Sequence, residues 1–271
     1  MALAQKIAYN VIFNSVAKII STILALISIG FMTRYLGAGG FGDYATVLAF
    51  FGLFGAVADL GLPTLLAREI SRKDAPETNI IGNILALRIV SSLIVFLVAI
   101  IAVPFLPYAP ELRFGIVLAA ASFVFSSSSG LLNGIFQKRL AMFQVATADL
   151  LAKCLQLGLV IATVSFHWGF GGIISALLAY MIFNAGIVFV LSRRLVPFRL
   201  SFDFSFWKKF LRASLPVGMI SIVSFAYFKA DTIILSMLKG SADVGIYNAA
   251  YFRGWTNRQQ NFLHINRPFR Q

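Results

Sequence analysis

Seven ionisable side chains stand inside long apolar stretches of this chain: the bases Lys18, Arg88, Lys153 and Lys229, and the acids Asp59, Asp149 and Asp231. At the centre of a membrane-crossing helix each costs roughly 2.5–3.5 kcal/mol to insert, so such residues need an interior position, a partner or a function. Four bases against three acids leave one positive charge over. Buried ammonium and guanidinium groups can replace the hydration of an anionic ligand. The chemistry on offer is recognition of charge, not bond-making.

Position sorts these residues. Asp59 and Arg88 each stand eight residues from the same end of two consecutive antiparallel segments, about 12 Å deep, so they can pair; structural pairing is the leading reading. Asp149 and Lys153 are four apart on one helix face and can satisfy each other. Lys229 and Asp231, two apart, face different directions, and Lys229 can snorkel outward. Lys18 is different: it is about 16 Å inside its segment with no local acid. Asn10 and Asn14 precede it at spacings of four, and a polar stripe of this kind faces protein or a water-filled cavity. Lys18, with Asn14 beside it, is the leading candidate to meet an anionic ligand, against a role as glue between helices.

Other motifs yield little chemistry. Cys154, His167 and His264 show no metal-ligand spacing with carboxylates, and one cysteine forms no internal disulfide. No nucleophile and acid stand with either histidine at a recognisable spacing, so neither an enzyme nor a bound cofactor is expected. Gly37-Ala38-Gly39-Gly40-Phe41-Gly42 matches the dinucleotide fingerprint in letters only. That motif needs a preceding strand, and here it reads as a tight turn between helices. Ser126–Ser129 with Gly130 and Gly134 form a small-residue face whose default reading is close helix packing rather than a substrate surface.

The elements that position these residues follow from composition. Of 271 residues, 59% are hydrophobic and 12% charged, and mean hydropathy is +0.85. Soluble domains carry about 25% charged residues, so the solvent for most of this chain is lipid. Seven stretches reach the roughly 20 apolar residues that a membrane-spanning helix needs: Ile7–Met32, Tyr44–Ala67, Ile80–Leu106, Leu112–Phe136, Phe143–Phe166, Gly171–Ser192 and Leu211–Leu238. The fold class expected is an all-α polytopic membrane bundle. The first stretch is too long for a signal peptide and lacks a small-residue cleavage site, so it is read as a retained helix.

The net charge of +13 lies mainly in the gaps. Lys6, Arg68, Arg72, Lys73, Lys138, Arg139, Arg193, Arg194, Arg199, Lys208 and Lys209 fall on one side, and only Arg34, Arg113 and Lys239 on the other. The positive-inside rule puts the first set, and the N-terminus, in the cytoplasm. No nucleic-acid motif accompanies the charge, so nucleic acid is not an expected partner. The linker 193–210 is the most basic gap and alternates aromatic with polar residues; it reads equally as an interfacial segment or an ordinary loop.

Leu36-Gly-Ala-Gly-Gly-Phe41-Gly42-Asp43-Tyr44-Ala45 and Leu238-Lys-Gly-Ser-Ala-Asp-Val244-Gly245-Ile246-Tyr247-Asn248-Ala249 share a pattern ending in apolar-Gly-x-Tyr. An offset of six helices in one orientation suggests two parallel lobes. The expected organisation is a six-helix lobe over 1–192, a basic aromatic cytoplasmic linker over 193–210, the start of a second lobe over 211–253 and an aberrant polar tail over 254–271. Val244–Phe252 is too short to span, so a truncated or frameshifted gene is expected.

Several of these motifs together resemble the polysaccharide-transporter branch of the superfamily that contains multidrug and toxin extruders. They are Asn14…Lys18, Arg34-Tyr-Leu-Gly…Phe41-Gly42-x-Tyr44, Asp59-Leu-Gly-Leu62, Leu215-Pro216 and Asp231…Val244-Gly245-Ile246-Tyr247-Asn248-Ala249-Ala250. The resemblance implies an O-antigen, capsule or exopolysaccharide flippase. Such a protein carries undecaprenyl-diphosphate-linked oligosaccharide across the cytoplasmic membrane by alternating access between two lobes of twelve to fourteen helices. Its expected partners are the lipid-linked oligosaccharide, membrane lipids and other polysaccharide biosynthesis proteins. On the charge argument, Lys18, Arg88, Lys153 and Asn14 would meet the substrate, and Asp59, Asp149 and Asp231 would be structural or coupling acids. One lobe alone would not transport. A cation-coupled drug antiporter of the same superfamily is the alternative; a membrane glycan polymerase is disfavoured by the short outer loops.

Overall fold

A computed structural model describes residues 3–72 and 75–250. Its helices are α1 (Leu3–Asp59), α2 (Leu62–Ile70), α3 (Glu77–Ala102), α4 (Pro110–Lys138), α5 (Met142–Phe166), α6 (Gly169–Leu195) and α7 (Phe204–Leu238), and residues 241–250 are again helical. The polar tail expected over 254–271 lies outside the described residues, as does the end of Val244–Phe252. No strand occurs among the described residues. In lipid a backbone must satisfy its own polar groups, and long unalternating apolar runs do so as helices. The protein is an all-α polytopic membrane bundle.

Six of the helices are long and apolar enough to cross a membrane. The first accounts for two passes. At 57 residues α1 would run about 85 Å if straight, against a hydrocarbon core of about 30 Å. It folds at Gly37, whose φ of 66° and ψ of −172° leave the helical region in a conformation that glycine adopts without steric penalty. Near the bend the Gly169 N–H donates to the Tyr35 hydroxyl at 2.9 Å. At the far end of the first arm the Phe143 N–H reaches Asn10 Oδ1 at 3.4 Å. The first arm therefore lies along the whole of α5, and Ile12, Ile19, Ile101 and Val223 on the outside of the bundle are exposed apolar side chains suited to acyl chains.

One expected stretch is interrupted. Tyr44–Ala67 is not a single helix, because Leu60 (φ 48°) and Gly61 (φ 69°) break it before α2. The cause is tertiary. A Cβ on Gly218 of α7 would lie 2.7 Å from Leu60 Cα, and one on Gly61 would lie 2.7 Å from Val217 Cβ and 2.8 Å from the Ser214 carbonyl oxygen. The break and α7 cross at backbone contact, which only these two glycines permit.

α4 is the hub, touching α1, α2, α3, α5 and α6, whereas α7 packs on α1, α2 and α3. One apolar cluster, built on Leu66, Ile84, Leu132 and Phe136, fills the end of the bundle where the bases gather, here termed the basic end. A second, built on Val47, Phe50, Ile116 and Phe123, fills the opposite half. At the basic end Glu77 binds Lys138 Nζ at 2.7 Å and Arg139 Nη2 at 2.8 Å, tying the start of α3 to the end of α4.

The linker differs from the expected 193–210. α6 continues to Leu195 and α7 begins at Phe204, capped by Asp203, so only 196–203 is non-helical. This strap crosses the start of α3: the Asp203 N–H donates to Asn83 Oδ1 at 2.9 Å, and Trp207 Nε1 donates to the Asn83 carbonyl at 3.0 Å. Phe198 and Trp207 are core residues, while Phe202 and Phe204 are exposed.

Candidate functional site

A polar cavity of about 340 Å³ opens between the first arm of α1, α4, α5 and α6. Asn14, Lys18 and Ser21 line it from α1, one helical turn apart. Ser126, Ser129 and Asn133 face them from α4, and Asp149, Tyr180 and Asn184 close the wall from α5 and α6. The stripe through Asn10, Asn14 and Lys18 thus runs from a buried contact with α5 into a cavity, not into acyl chains. Lys18 has no acidic partner within 4 Å among the described residues. Asn133 Oδ1 is a buried acceptor with no hydrogen bond.

The second pair of the sequence reading is rearranged. Asp149 and Lys153 do not pair directly, because the Tyr180 ring stands with them. The Tyr180 hydroxyl donates to Asp149 Oδ1 at 2.7 Å, while Lys153 Nζ sits 4.2 Å from the Tyr180 ring centroid and donates to Gln156 Oε1 at 3.1 Å. A desolvated cation on an aromatic face is stabilised by the ring quadrupole. Asp149 thereby accepts from a phenol, and Lys153 is near enough to feel its charge without forming a direct ion pair.

Arg88 lies elsewhere. Its side chain is buried, with Nη2 3.6 Å from Asp59 Oδ1 and Nη1 donating to the Ala58 carbonyl. Phe123 flanks the guanidinium, whose carbon is 5.6 Å from the ring centroid. The last carbonyls of a helix lack intrahelical partners, so Arg88 caps the broken end of α1 while neutralising Asp59. Ser221 of α7 donates to the other Asp59 oxygen at 2.8 Å. The expected pairing of Asp59 with Arg88 is present, and it removes Arg88 from the residues that can meet a ligand in the cavity.

Asp231 is also remote from the cavity. It accepts from Tyr247 of the following helix and from the Thr232 N–H at 2.7 Å, joining α7 to residues 241–250. The small-residue face divides. Gly134 packs on Ala67 of α2, but nothing lies within 4 Å of a Cβ placed on Gly130, which with Ser126 and Ser129 faces the cavity. Tyr180, Gln156, Asn133 and Asn184 were not singled out from sequence. A tyrosine, a glutamine and two asparagines in apolar helices carry no local signal, and only their meeting with Asp149, Lys153 and Lys18 gives them meaning. No group of three or more metal-binding side chains occurs among the described residues.

The profile of the family described as polysaccharide biosynthesis protein matches residues 7–253 of this membrane bundle. The chain belongs to this family. Membership of the polysaccharide biosynthesis family supports a polysaccharide-related transport role, and the bundle makes the chain a multi-pass membrane protein. The family setting suggests saccharides linked to lipid as what is handled. No curated protein and no solved structure shows significant similarity to the chain.

Proposed function

We propose that this protein takes part in flipping undecaprenyl-diphosphate-linked oligosaccharide, an O-antigen, capsule or exopolysaccharide repeat unit, from the cytoplasmic to the outer leaflet of the cytoplasmic membrane. The basic end faces the cytoplasm, following the positive-inside rule. Lys18 meets the diphosphate directly, and Lys153 reinforces it from behind Tyr180. Asn14, Asn133 and Asn184 offer amides to sugar hydroxyls. Arg88 and Asp59 hold the α1 break, and Asp149 is the acid left for coupling to an ion. The part is that of a carrier, not an enzyme.

The observation that carries this reading is Lys18, an ammonium with no acidic partner within 4 Å among the described residues, in a cavity walled by amides, hydroxyls and the Asp149 carboxylate. A phosphate oxygen bound by a charged donor in such a site gains about 1.5–3 kcal/mol per hydrogen bond. The test is equilibrium binding of undecaprenyl diphosphate to the purified chain and its variants. Lys18→Ala should weaken binding roughly 10- to 100-fold, with Asp149→Asn leaving it within a few-fold. A cation-coupled drug antiporter gives the reverse: Asp149→Asn abolishes cation-dependent drug binding, and Lys18→Ala is silent.

A further inference from the structure

At the basic end, away from the Lys18 cavity, a second recess of about 460 Å³ opens between α2, the start of α3 and the start of α7. Its floor is apolar. Leu65, Ile80 and Phe210 are buried, and Phe206 stacks on Phe210 with ring centroids 5.5 Å apart. Its rim carries the exposed bases Arg68, Arg72 and Lys209. An adjoining recess of about 370 Å³ shares Lys209 and adds Lys208 and Arg212. Among the described residues that line the two recesses, one acid stands against these five bases: Glu69, already paired with Arg72 at 3.0 Å. Among the described residues the other four have no acidic partner within 4 Å.

Depth narrows the ligand. α7 has 35 residues and is about 52 Å long, so about 20 Å of it lies beyond a 30 Å hydrocarbon core. Lys208, Lys209 and Arg212 stand in its first turns, which puts the recess at headgroup level. Basic residues there attract anionic lipid, and an aromatic floor beside them accepts the first carbons of an acyl chain. A free anion would use the rim alone.

We propose that these two adjoining recesses together bind the phosphate headgroup of an anionic membrane phospholipid, the phosphate on Arg68, Lys209 and Arg212 and the proximal chain on Phe206 and Phe210. The site is independent of what the Lys18 cavity carries.

The test uses the full chain in a neutral detergent, with bound lipid counted by native mass spectrometry during titration with phosphatidylglycerol, phosphatidylcholine or inorganic pyrophosphate. Phosphatidylglycerol should bind roughly ten-fold tighter than phosphatidylcholine. That preference should vanish in Arg68→Gln/Lys209→Gln/Arg212→Gln, survive in Arg193→Gln/Arg194→Gln at the same end, and weaken in Phe206→Ser. Equal losses in the two charge variants would overturn the proposal in favour of a diffuse surface field. Displacement of phosphatidylglycerol by pyrophosphate at matching concentration would overturn it in favour of a free-anion site. Helical circular dichroism and elution volume report whether each variant is folded; if the triple variant is not, Arg68→Gln is read in the same titration, where an unchanged lipid preference counts against the site.

Discussion

Gly42 and Gly245 meet backbone to backbone. A Cβ on Gly42 would lie 1.6 Å from the Ser241 carbonyl oxygen and 3.0 Å from Gly245 N; one on Gly245 would lie 2.4 Å from the Ala38 carbonyl oxygen and 3.2 Å from Gly42 N. They are the equivalent glycines of the two similar segments, 36–45 and 238–249, so the segments that look alike in sequence also touch. Asp43 Oδ1 and Ser241 Oγ, 2.5 Å apart, close the same contact. Gly42→Ala should force it apart, because backbone cannot yield as a flexible side chain does. Disulfide formation between Asp43→Cys and Ser241→Cys, in a Cys154→Ser background, measures this. Trapping should be efficient with Gly42 and roughly five-fold or more slower with alanine.

The two positive-φ glycines of the α1–α2 region should respond unequally. Around Gly37 (φ 66°, ψ −172°) the space that a Cβ would take is open to 4 Å, so Gly37→Ala carries only the backbone penalty of its glycine-only conformation, about 1–3 kcal/mol. Gly61→Ala adds a collision with Val217 and Ser214 and should lower the thermal midpoint distinctly more. Equal losses would mean that the crossing with α7 is looser than described.

Arg88→Ala should be among the most damaging single changes. It leaves Asp59 without its cation and the Ala58 carbonyl without its cap; breaking a fully buried pair costs about 3–5 kcal/mol, and this pair, whose Asp59 is partly exposed, should fall at or below the lower end. Asp59→Asn keeps a hydrogen-bonding group for Ser221 and should cost less. Resistance to proteolysis in detergent ranks the two variants, and the opposite order would contradict the capping role.

Much of this arrangement was legible in the sequence for physical reasons. Long apolar runs have one stable form in lipid, and helix rise converts residue count into depth, which is why Asp59 and Arg88 could be matched. The spacing of Asn10, Asn14 and Lys18 put them on one face, and the cavity lies on that face. What sequence could not provide was tertiary. Nothing local says that α7 presses Gly218 onto Leu60 and Gly61, so the helix break was missed. Nothing local says that Tyr180 stands with Asp149 and Lys153, so a direct pair was expected. The linker hid its helix start because aromatic residues alternating with polar ones read equally as an interfacial segment or a loop, whereas Asn83 of α3 draws Trp207 into the core.

Reporter fusions check the orientation. Fusions after Gly169 and Lys239, at the sparsely charged end, should show external activity, and one after Arg139 internal activity, as the distribution of bases requires.

The most direct measurement places a photoreactive benzoylphenylalanine at Asn184 in the cavity wall, and at Ile101 on the exposed apolar face, in membranes containing radiolabelled undecaprenyl-diphosphate oligosaccharide. Labelling at position 184 well above that at 101, and lost on Lys18→Ala, is the expected result. Equal labelling at the two positions, or labelling at 184 that ignores Lys18→Ala, would contradict a diphosphate held by Lys18.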